Sequence, residues 1–167
     1  MSTSYALKNQ PLKLYGALFI AILLPQLAGG LGAFFTAQSV SGWYMEINKP
    51  AFTPPGYVFP IVWPALYLMM GIASWLVWRS DASDAQKKYA LGVYGVHLLL
   101  NTAWSFLFFG LESPAAGLAG ILPLLGMIAW TAWLFSGFSR PAALLMLPYL
   151  LWVSFASVLN ATILAMN

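Results

Sequence analysis

The sequence predicts an all-α membrane protein, a bundle of five transmembrane helices. Of its 167 residues, 61% are hydrophobic and 7% are charged, which leaves too little polar surface to cover a soluble globule. The few charged residues divide the chain into five uncharged stretches, each long enough to cross about 30 Å of hydrocarbon. Backbone amides in lipid must be bonded within their own segment, and the stretches lack the alternation of a transmembrane barrel. All five are therefore predicted to be helices.

The connections between most of the predicted spans are short, which favours antiparallel neighbours packed as one bundle. The whole chain, residues 1–167, is therefore predicted to be a single transmembrane domain. The first span is too long for the apolar core of a cleaved secretory signal, and four more spans follow it. The predicted helices lie near residues 14–35, 57–78, 89–110, 114–136 and 141–166.

Basic residues are concentrated on one side of this predicted bundle, and Lys49 stands alone on the other side. By the positive-inside rule, the asymmetry puts the N-terminus in the cytoplasm, with a bacterial inner membrane as the predicted location. The net charge of +3 thus indicates orientation and contact with anionic membrane lipid, not nucleic acid. The basic residues on the cytoplasmic side of this prediction are Lys8, Lys13, Arg79, Lys87, Lys88 and Arg140.

The predicted spans lack most of the groups that catalysis or ion transport needs. None contains a charged residue, and the chain has no cysteine, which excludes disulfides and thiolate metal sites. A metal site, a carboxylate pair and a serine triad all lack parts, so these residues predict no metal and no catalytic group. His97 alone titrates near neutral pH within a span. It fits either hydrogen-bonded packing or a ligand or proton-relay role.

Small residues are concentrated in the first span, where they let helices approach closely and favour a homodimer face. The residues are Ala28, Gly29, Gly30, Gly32 and Ala33.

The connection between the first two spans is rich in proline and aromatic residues. Its prolines fix φ and bias the preceding residues to extended geometry, so the segment is stiff. Aromatic side chains give it an apolar underside. We predict that residues 43–55, here called the lid segment, fold across the mouth of the bundle; the alternative is an anchor at the membrane interface. The residues that carry this prediction are Trp43, Lys49, Pro50, Pro54 and Pro55.

Three spans carry polar and aromatic residues at three- and four-residue spacing, which places each set on one helix face. Without charge at mid-depth, such faces suit a flat, largely apolar ligand. The alternative is that they pack and hydrogen-bond one helix to another. The candidate ligand-binding residues are Trp63 and Tyr67 in the second span, His97, Asn101 and Trp104 in the third, and Tyr149, Trp152 and Ala156 in the fifth.

The order and spacing of these residues resemble the translocator proteins, called tryptophan-rich sensory proteins in bacteria, of the TspO/MBR family. The resemblance extends from Trp43 to Asn160. The matching residues include Trp43, Tyr44, Lys49, Pro50, Pro54, Pro55, Phe59, Trp63, Tyr67, Asn101, Trp104, Pro148, Tyr149, Trp152, Leu159 and Asn160.

The resemblance implies a five-helix protein, usually dimeric, whose first connection caps a cavity that binds porphyrins. In some members that cavity takes cholesterol or synthetic benzodiazepine and isoquinoline ligands. The pocket positions of the family correspond to Trp63, Asn101, Trp104, Trp152 and Ala156. Some bacterial members degrade bound protoporphyrin in light, with tryptophans that match Trp63 and Trp152.

Two departures limit what the resemblance implies. In animal members the Leu-Asn pair is followed by a tyrosine and a nearby arginine, and both are missing after Leu159 and Asn160. Sterol recognition through that motif is therefore not expected here. Many animal members have an aromatic residue early in the fourth helix. The corresponding position in this sequence lies near Ala116, which predicts a larger or reshaped pocket.

Three hypotheses of function follow. The first is a membrane receptor or transporter for tetrapyrroles, which binds protoporphyrin IX or haem as a ligand, needs no cofactor, and regulates tetrapyrrole levels or a stress response. The second is an enzyme that degrades porphyrin with light and oxygen. The third is a structural or regulatory membrane partner whose pocket is incidental.

Overall fold

The structure, a computed structural model, describes residues 11–167 and contains helices and no strands within that range. Five of its helices are long and apolar enough to cross a membrane, which confirms the predicted fold class. Lys8, one of the cations used to predict orientation, lies outside the described residues. The helices are α1 (Pro11–Val40), the short α2 (Trp43–Glu46), α3 (Phe59–Trp78), α4 (Asp84–Ser105), α5 (Pro114–Ser136) and α6 (Arg140–Met166).

Two helix ends lie five residues from their predicted bounds: α1 extends to Val40 instead of residue 35, and α4 begins five residues early. The third predicted span began at residue 89, but α4 begins at Asp84 because a capping box closes its first turn. The Ser83 hydroxyl accepts a hydrogen bond from the Gln86 backbone, and the Gln86 side chain accepts one from the Ser83 backbone. A window chosen for hydropathy cannot include this polar turn.

The five long helices form a ring in the order α1, α3, α6, α5, α4, and each contacts its neighbours in that ring. Two side chains connect α1 to the helices beside it. The Gln26 amide donates to the Pro64 carbonyl of α3 at 3.1 Å, and the Thr102 hydroxyl of α4 donates to the Ala28 carbonyl at 3.0 Å. The core lies between these helices around Met70, Phe135 and Tyr149, all fully buried.

The small residues of α1 allow close packing within the chain. A Cβ at Gly29 would lie 2.0 Å from the Tyr67 ring, and one at Gly32 would lie 2.9 Å from the Ser105 hydroxyl. These two glycines therefore face α3 and α4 of the same chain. Gly30 and Ala33 are exposed, and the predicted homodimer face depends on such outward positions.

Candidate functional site

The centre of the candidate site is a hydrogen-bonded row of three buried side chains from three helices. The Tyr67 hydroxyl of α3 donates to the Asn101 amide oxygen of α4 at 3.0 Å. The Asn101 amide nitrogen donates to the Tyr149 hydroxyl of α6 at 2.9 Å. An unpaired polar group inside a membrane protein is costly, so this row satisfies polar side chains and fixes the spacing of the helices.

Two tryptophans lie beside this row. Trp63 stacks on Tyr67, with ring centroids 5.4 Å apart and planes 26° apart. Its ring also meets the Tyr149 ring edge-on at 6.2 Å and lies 6.5 Å from the Trp104 ring, tilted by 30°. Both tyrosines are buried, whereas both indoles are half-buried. The tryptophans therefore form the accessible surface of the cluster.

His97 supports the cluster from inside. It lies one helical turn before Asn101 and is 0% exposed. Its ring is 5.4 Å from the Tyr149 ring and 5.2 Å from the Tyr94 ring. Neither ring nitrogen meets a partner in good hydrogen-bond geometry among the described residues. The aromatic neighbours, and not a hydrogen-bonded network, hold this side chain in place.

Trp152 and Ala156 lie one and two turns beyond Tyr149 on α6. The Trp152 ring contacts the Phe59 ring at 5.9 Å and the Phe155 ring at 5.8 Å. Ala156 is half-buried against the core. Among the described residues, no ring contact joins Trp152 to Trp63 or Trp104, so the predicted site residues form two neighbouring groups.

Lys49 closes the end of the short helix α2. Its ammonium group donates to the carbonyls of Tyr44, Met45 and Ile47. It also lies 4.9 Å above the Tyr44 ring. The last carbonyls of a helix lack donors within the helix, and a lysine there satisfies them. Burial raises the pKa of the Tyr44 phenol, which stays neutral. The Lys49 ammonium group thus makes its contacts within the lid segment.

The rest of the lid segment lies against α6 and the end of α4. The Trp43 ring meets Phe108 at 5.6 Å, and the Phe52 ring meets Phe155 at 6.3 Å. Pro50 is buried, and its carbonyl accepts hydrogen bonds from the backbone and hydroxyl of Thr53 at 3.0 and 2.7 Å. Pro54 is half-buried and Pro55 is exposed.

Asn48 and Asn167 form a clasp between the lid segment and the end of α6. The Asn48 backbone donates to the Asn167 amide oxygen at 2.9 Å, and the Asn167 amide nitrogen donates back to the Asn48 carbonyl at 3.0 Å. The Asn48 side chain also donates to the Met166 carbonyl at 3.3 Å. These bonds are exposed, so water competes for them.

The structure adds three residues that the predicted site omitted. A π-helical turn, Phe106–Gly110, extends α4 and places Phe108 between Trp43 and Trp104. Trp104 donates to the Asn160 amide oxygen at 3.5 Å, and Asn160 donates to the Pro114 carbonyl at 2.8 Å. Phe59 contacts Trp152. Helical spacing signalled Phe108 and Asn160, whereas no periodic signal marks Phe59 or the π-helical turn.

The described residues bring together no group of His, Asp or Glu side chains that could hold a metal ion. The geometry suits aromatic stacking and hydrogen bonding to neutral polar groups. Fold and site together define a five-span membrane protein with a tryptophan-rich, hydrogen-bonded centre and a proline-rich segment across one end. The chain belongs to the TspO/MBR family, whose sequence profile matches residues 21–166.

Relatives from distant organisms match most of the chain. The tryptophan-rich protein TspO of Chlorobaculum tepidum is 41% identical over 150 residues, which cover 90% of this chain and 95% of the relative. The translocator protein of Bos taurus is 39% identical over 139 residues, 83% of this chain and 82% of the relative. The tryptophan-rich sensory protein of Cereibacter sphaeroides is 35% identical over 125 residues, 75% of this chain and 77% of the relative.

Proposed function

We propose that this TspO/MBR protein is a membrane receptor or transporter that binds a flat, largely apolar ligand of the porphyrin class at the Trp63 and Trp104 cluster. The observation that carries the proposal is the pair of half-buried indoles beside the Tyr67, Asn101 and Tyr149 row. Aromatic faces favour stacking with a flat ring system, and a few fixed polar groups set its orientation. Family membership supports the same proposal.

The residues have distinct roles in this proposal. Trp63 and Trp104 stack on the ligand. Asn101 is buried and has one amide hydrogen beyond the one donated to Tyr149; a polar edge of the ligand meets it once the surrounding rings have separated. Trp152 and Ala156 form a second wall on α6. His97 is fully buried and positions Tyr149 instead of touching the ligand.

Binding in this proposal requires movement. Trp63 contacts Tyr67, Tyr149 and Trp104, so a ligand that enters the cluster separates these rings. The lid segment moves with them because Trp43 is linked to Trp104 through Phe108. Its three hydrogen bonds to Met166 and Asn167 are exposed and oppose opening only weakly.

A titration with protoporphyrin IX tests the proposal. Tryptophan fluorescence and the porphyrin spectrum are followed in detergent solution, in darkness and then under light, for the wild type and Trp152→Phe. Saturable quenching with an unchanged spectrum supports binding. No saturation at micromolar porphyrin would contradict it and leave the structural or regulatory role.

The same titration detects porphyrin degradation. Trp63 and Trp152 are the residues that the family resemblance assigns to that reaction, and Trp63 is in contact with Tyr67 and Trp104. If light bleaches the bound porphyrin in the wild type and not in the Trp152→Phe or Trp63→Phe variant, the protein is an enzyme.

We also propose a bacterial inner membrane with the N-terminal end of α1 in the cytoplasm. Lys13, Arg79, Lys88 and Arg140 all lie at that end of the bundle, which supports this orientation. A homodimer through an outward face of the bundle completes the proposed assembly.

A further inference from the structure

The Trp104 indole, one wall of the proposed ligand site, is held at its polar edge by Asn160 of α6. The indole nitrogen donates to the Asn160 amide oxygen at 3.5 Å, a long hydrogen bond. Asn160 is 2% exposed, so water does not compete for this contact. An indole has one hydrogen-bond donor and no acceptor. Its bond to Asn160 therefore leaves Trp104 only its aromatic faces to offer a ligand.

The Asn160 side chain is itself fixed from its other end. Its amide nitrogen donates to the carbonyl of Pro114, the first residue of α5, at 2.8 Å. A carbonyl can only accept a hydrogen bond and an indole nitrogen can only donate one, so a single orientation of the amide satisfies both partners. The amide thus joins α4, α5 and α6 beside Trp104 and sets the direction of the indole edge.

A glycine of α5 provides the space that this amide occupies. A Cβ at Gly117 would lie 2.8 Å from the Asn160 amide oxygen and 2.5 Å from the Phe108 ring. Both distances are too short for a real Cβ, so a larger residue there displaces the amide oxygen or the ring. The Phe108 ring in turn packs beside the Trp104 ring, with centroids 5.9 Å apart. Gly117 therefore allows both neighbours of the indole to lie where they do.

We propose that Asn160 is a positioning residue, which holds Trp104 as the fixed wall of the site while Trp63 moves to admit the ligand. The inference rests on the proposed function and deepens it. Trp63 is held by ring contacts that separate when a ligand enters. Trp104 keeps its hydrogen bond and its orientation. A flat ring system stacks on its face, and the polar edge of the ligand is left to Asn101.

The indole proton of Trp104 tests the hydrogen bond without any ligand. In the full chain, isotope-labelled at its tryptophan indoles, NMR shows one cross-peak for each of the 8 tryptophans, and Trp104→Phe identifies the peak of Trp104. Asn160→Leu replaces the amide by an apolar side chain of similar size. We expect the Trp104 indole proton to move upfield in this variant, because it loses its acceptor. An unchanged peak would overturn the proposal.

The affinity for protoporphyrin IX tests the consequence for binding. We expect Asn160→Leu to weaken binding about two- to tenfold, the value of one neutral hydrogen bond, and Gly117→Ala to act in the same direction although it keeps Asn160. Two matched controls should leave the affinity unchanged. Ser157→Ala removes a buried hydroxyl about one turn earlier on α6, and Gly126→Ala adds a methyl group to α5 where nothing lies within 4 Å.

The outcomes separate this inference from the proposed function. If the wild type does not bind protoporphyrin IX saturably, the proposed function fails, and the role of Asn160 in binding fails with it. If the wild type binds and Asn160→Leu binds equally well, only the positioning role is overturned. An equal loss in the control variants would show a general disturbance of the bundle and would also overturn it. If Asn160→Leu does not fold, the wild type still decides: a Trp104 indole proton at the position of a free indole would overturn the proposal.

Discussion

The Asn101 side chain accepts a hydrogen bond from Tyr67 and donates one to Tyr149, so two buried hydroxyl groups from different helices depend on one residue. Leaving a buried polar group without a partner costs more free energy than the hydrogen bond contributed to stability, because no water takes the place of the partner. Substitution of Asn101, in the middle of the row, should therefore lower the stability of the protein more than substitution of either tyrosine at its ends.

Asn101→Ala tests this dependence. The substitution leaves the Tyr67 and Tyr149 hydroxyls without their present partner, and we expect the free energy of unfolding to fall by about 1–3 kcal/mol. Tyr149→Phe is the comparison, since it removes the partner of one Asn101 amide hydrogen and leaves the bond from Tyr67 in place, so it should cost less. Thermal unfolding in detergent measures both. If Asn101→Ala unfolds at the wild-type temperature, the row does not hold the helices together.

Gly29 and Gly30 are adjacent in α1 and provide a matched pair of substitutions. An alanine at position 29 meets the Tyr67 ring, whereas nothing lies within 4 Å of a Cβ at position 30. We expect Gly29→Ala to destabilise the protein by about 1–3 kcal/mol through overpacking, and Gly30→Ala to be neutral or stabilising. The measurement is again unfolding in detergent. Equal effects of the two substitutions would contradict the packing of α1 on α3.

At the scale of elements, the clasp between the lid segment and α6 should control how often the segment opens. Asn167→Ala removes the side-chain donor and acceptor that meet Asn48. We expect faster amide hydrogen exchange across residues 47–55, by about two- to tenfold, because exposed hydrogen bonds of this kind contribute about 0.5–1.5 kcal/mol. Exchange in the centre of α5 should be unchanged.

Asn48→Ala distinguishes loss of the clasp from a separate effect of Asn167 on the end of α6. It removes the side-chain bond to the Met166 carbonyl but keeps the Asn48 backbone bonds to Asn167. We therefore expect a smaller increase in exchange than in Asn167→Ala, confined to the same residues. An increase spread over all of α6 would instead show that Asn167 stabilises the helix end.

Hydropathy predicts the long helices well because length and lack of charge are properties of a whole segment. It does not find α2, the capping box at Ser83 or the π-helical turn after Ser105, since each depends on a few local hydrogen bonds. The π-helical turn is the clearest case: the Leu111 backbone donates to the Phe106 carbonyl at 2.9 Å, and neither residue signals this in the sequence.

The candidate site was predictable in part, because helical spacing shows which residues share one face of a helix. Spacing of three and four residues identified Tyr67, Asn101 and Tyr149, which the structure joins by hydrogen bonds. Spacing cannot say which faces meet across helices. The separation of Trp152 from Trp63 and the burial of His97 follow from helix packing, and only the structure gives them.

At the scale of the whole molecule, the proposed orientation rests on the basic residues at one end of the bundle. The chain has no cysteine, so single cysteines can report which end faces outward. We expect Ser41→Cys to react with a membrane-impermeant maleimide on intact bacterial cells, and Ala85→Cys to react only after permeabilisation. Both positions are exposed and lie at opposite ends of the bundle. The reverse pattern of labelling would contradict the proposed orientation.

The central claim is that a porphyrin lies against the indoles beside Asn101, and the affinity of Trp104→Phe for protoporphyrin IX tests it most directly. The control is Trp130→Phe, which removes an exposed indole of α5 whose ring contact in the described chain is with Trp133. We expect Trp104→Phe to weaken binding about two- to tenfold, the value of one aromatic stacking partner, with Trp130→Phe unchanged. Equal affinities of wild type and Trp104→Phe, or an equal loss in both variants, would contradict the site.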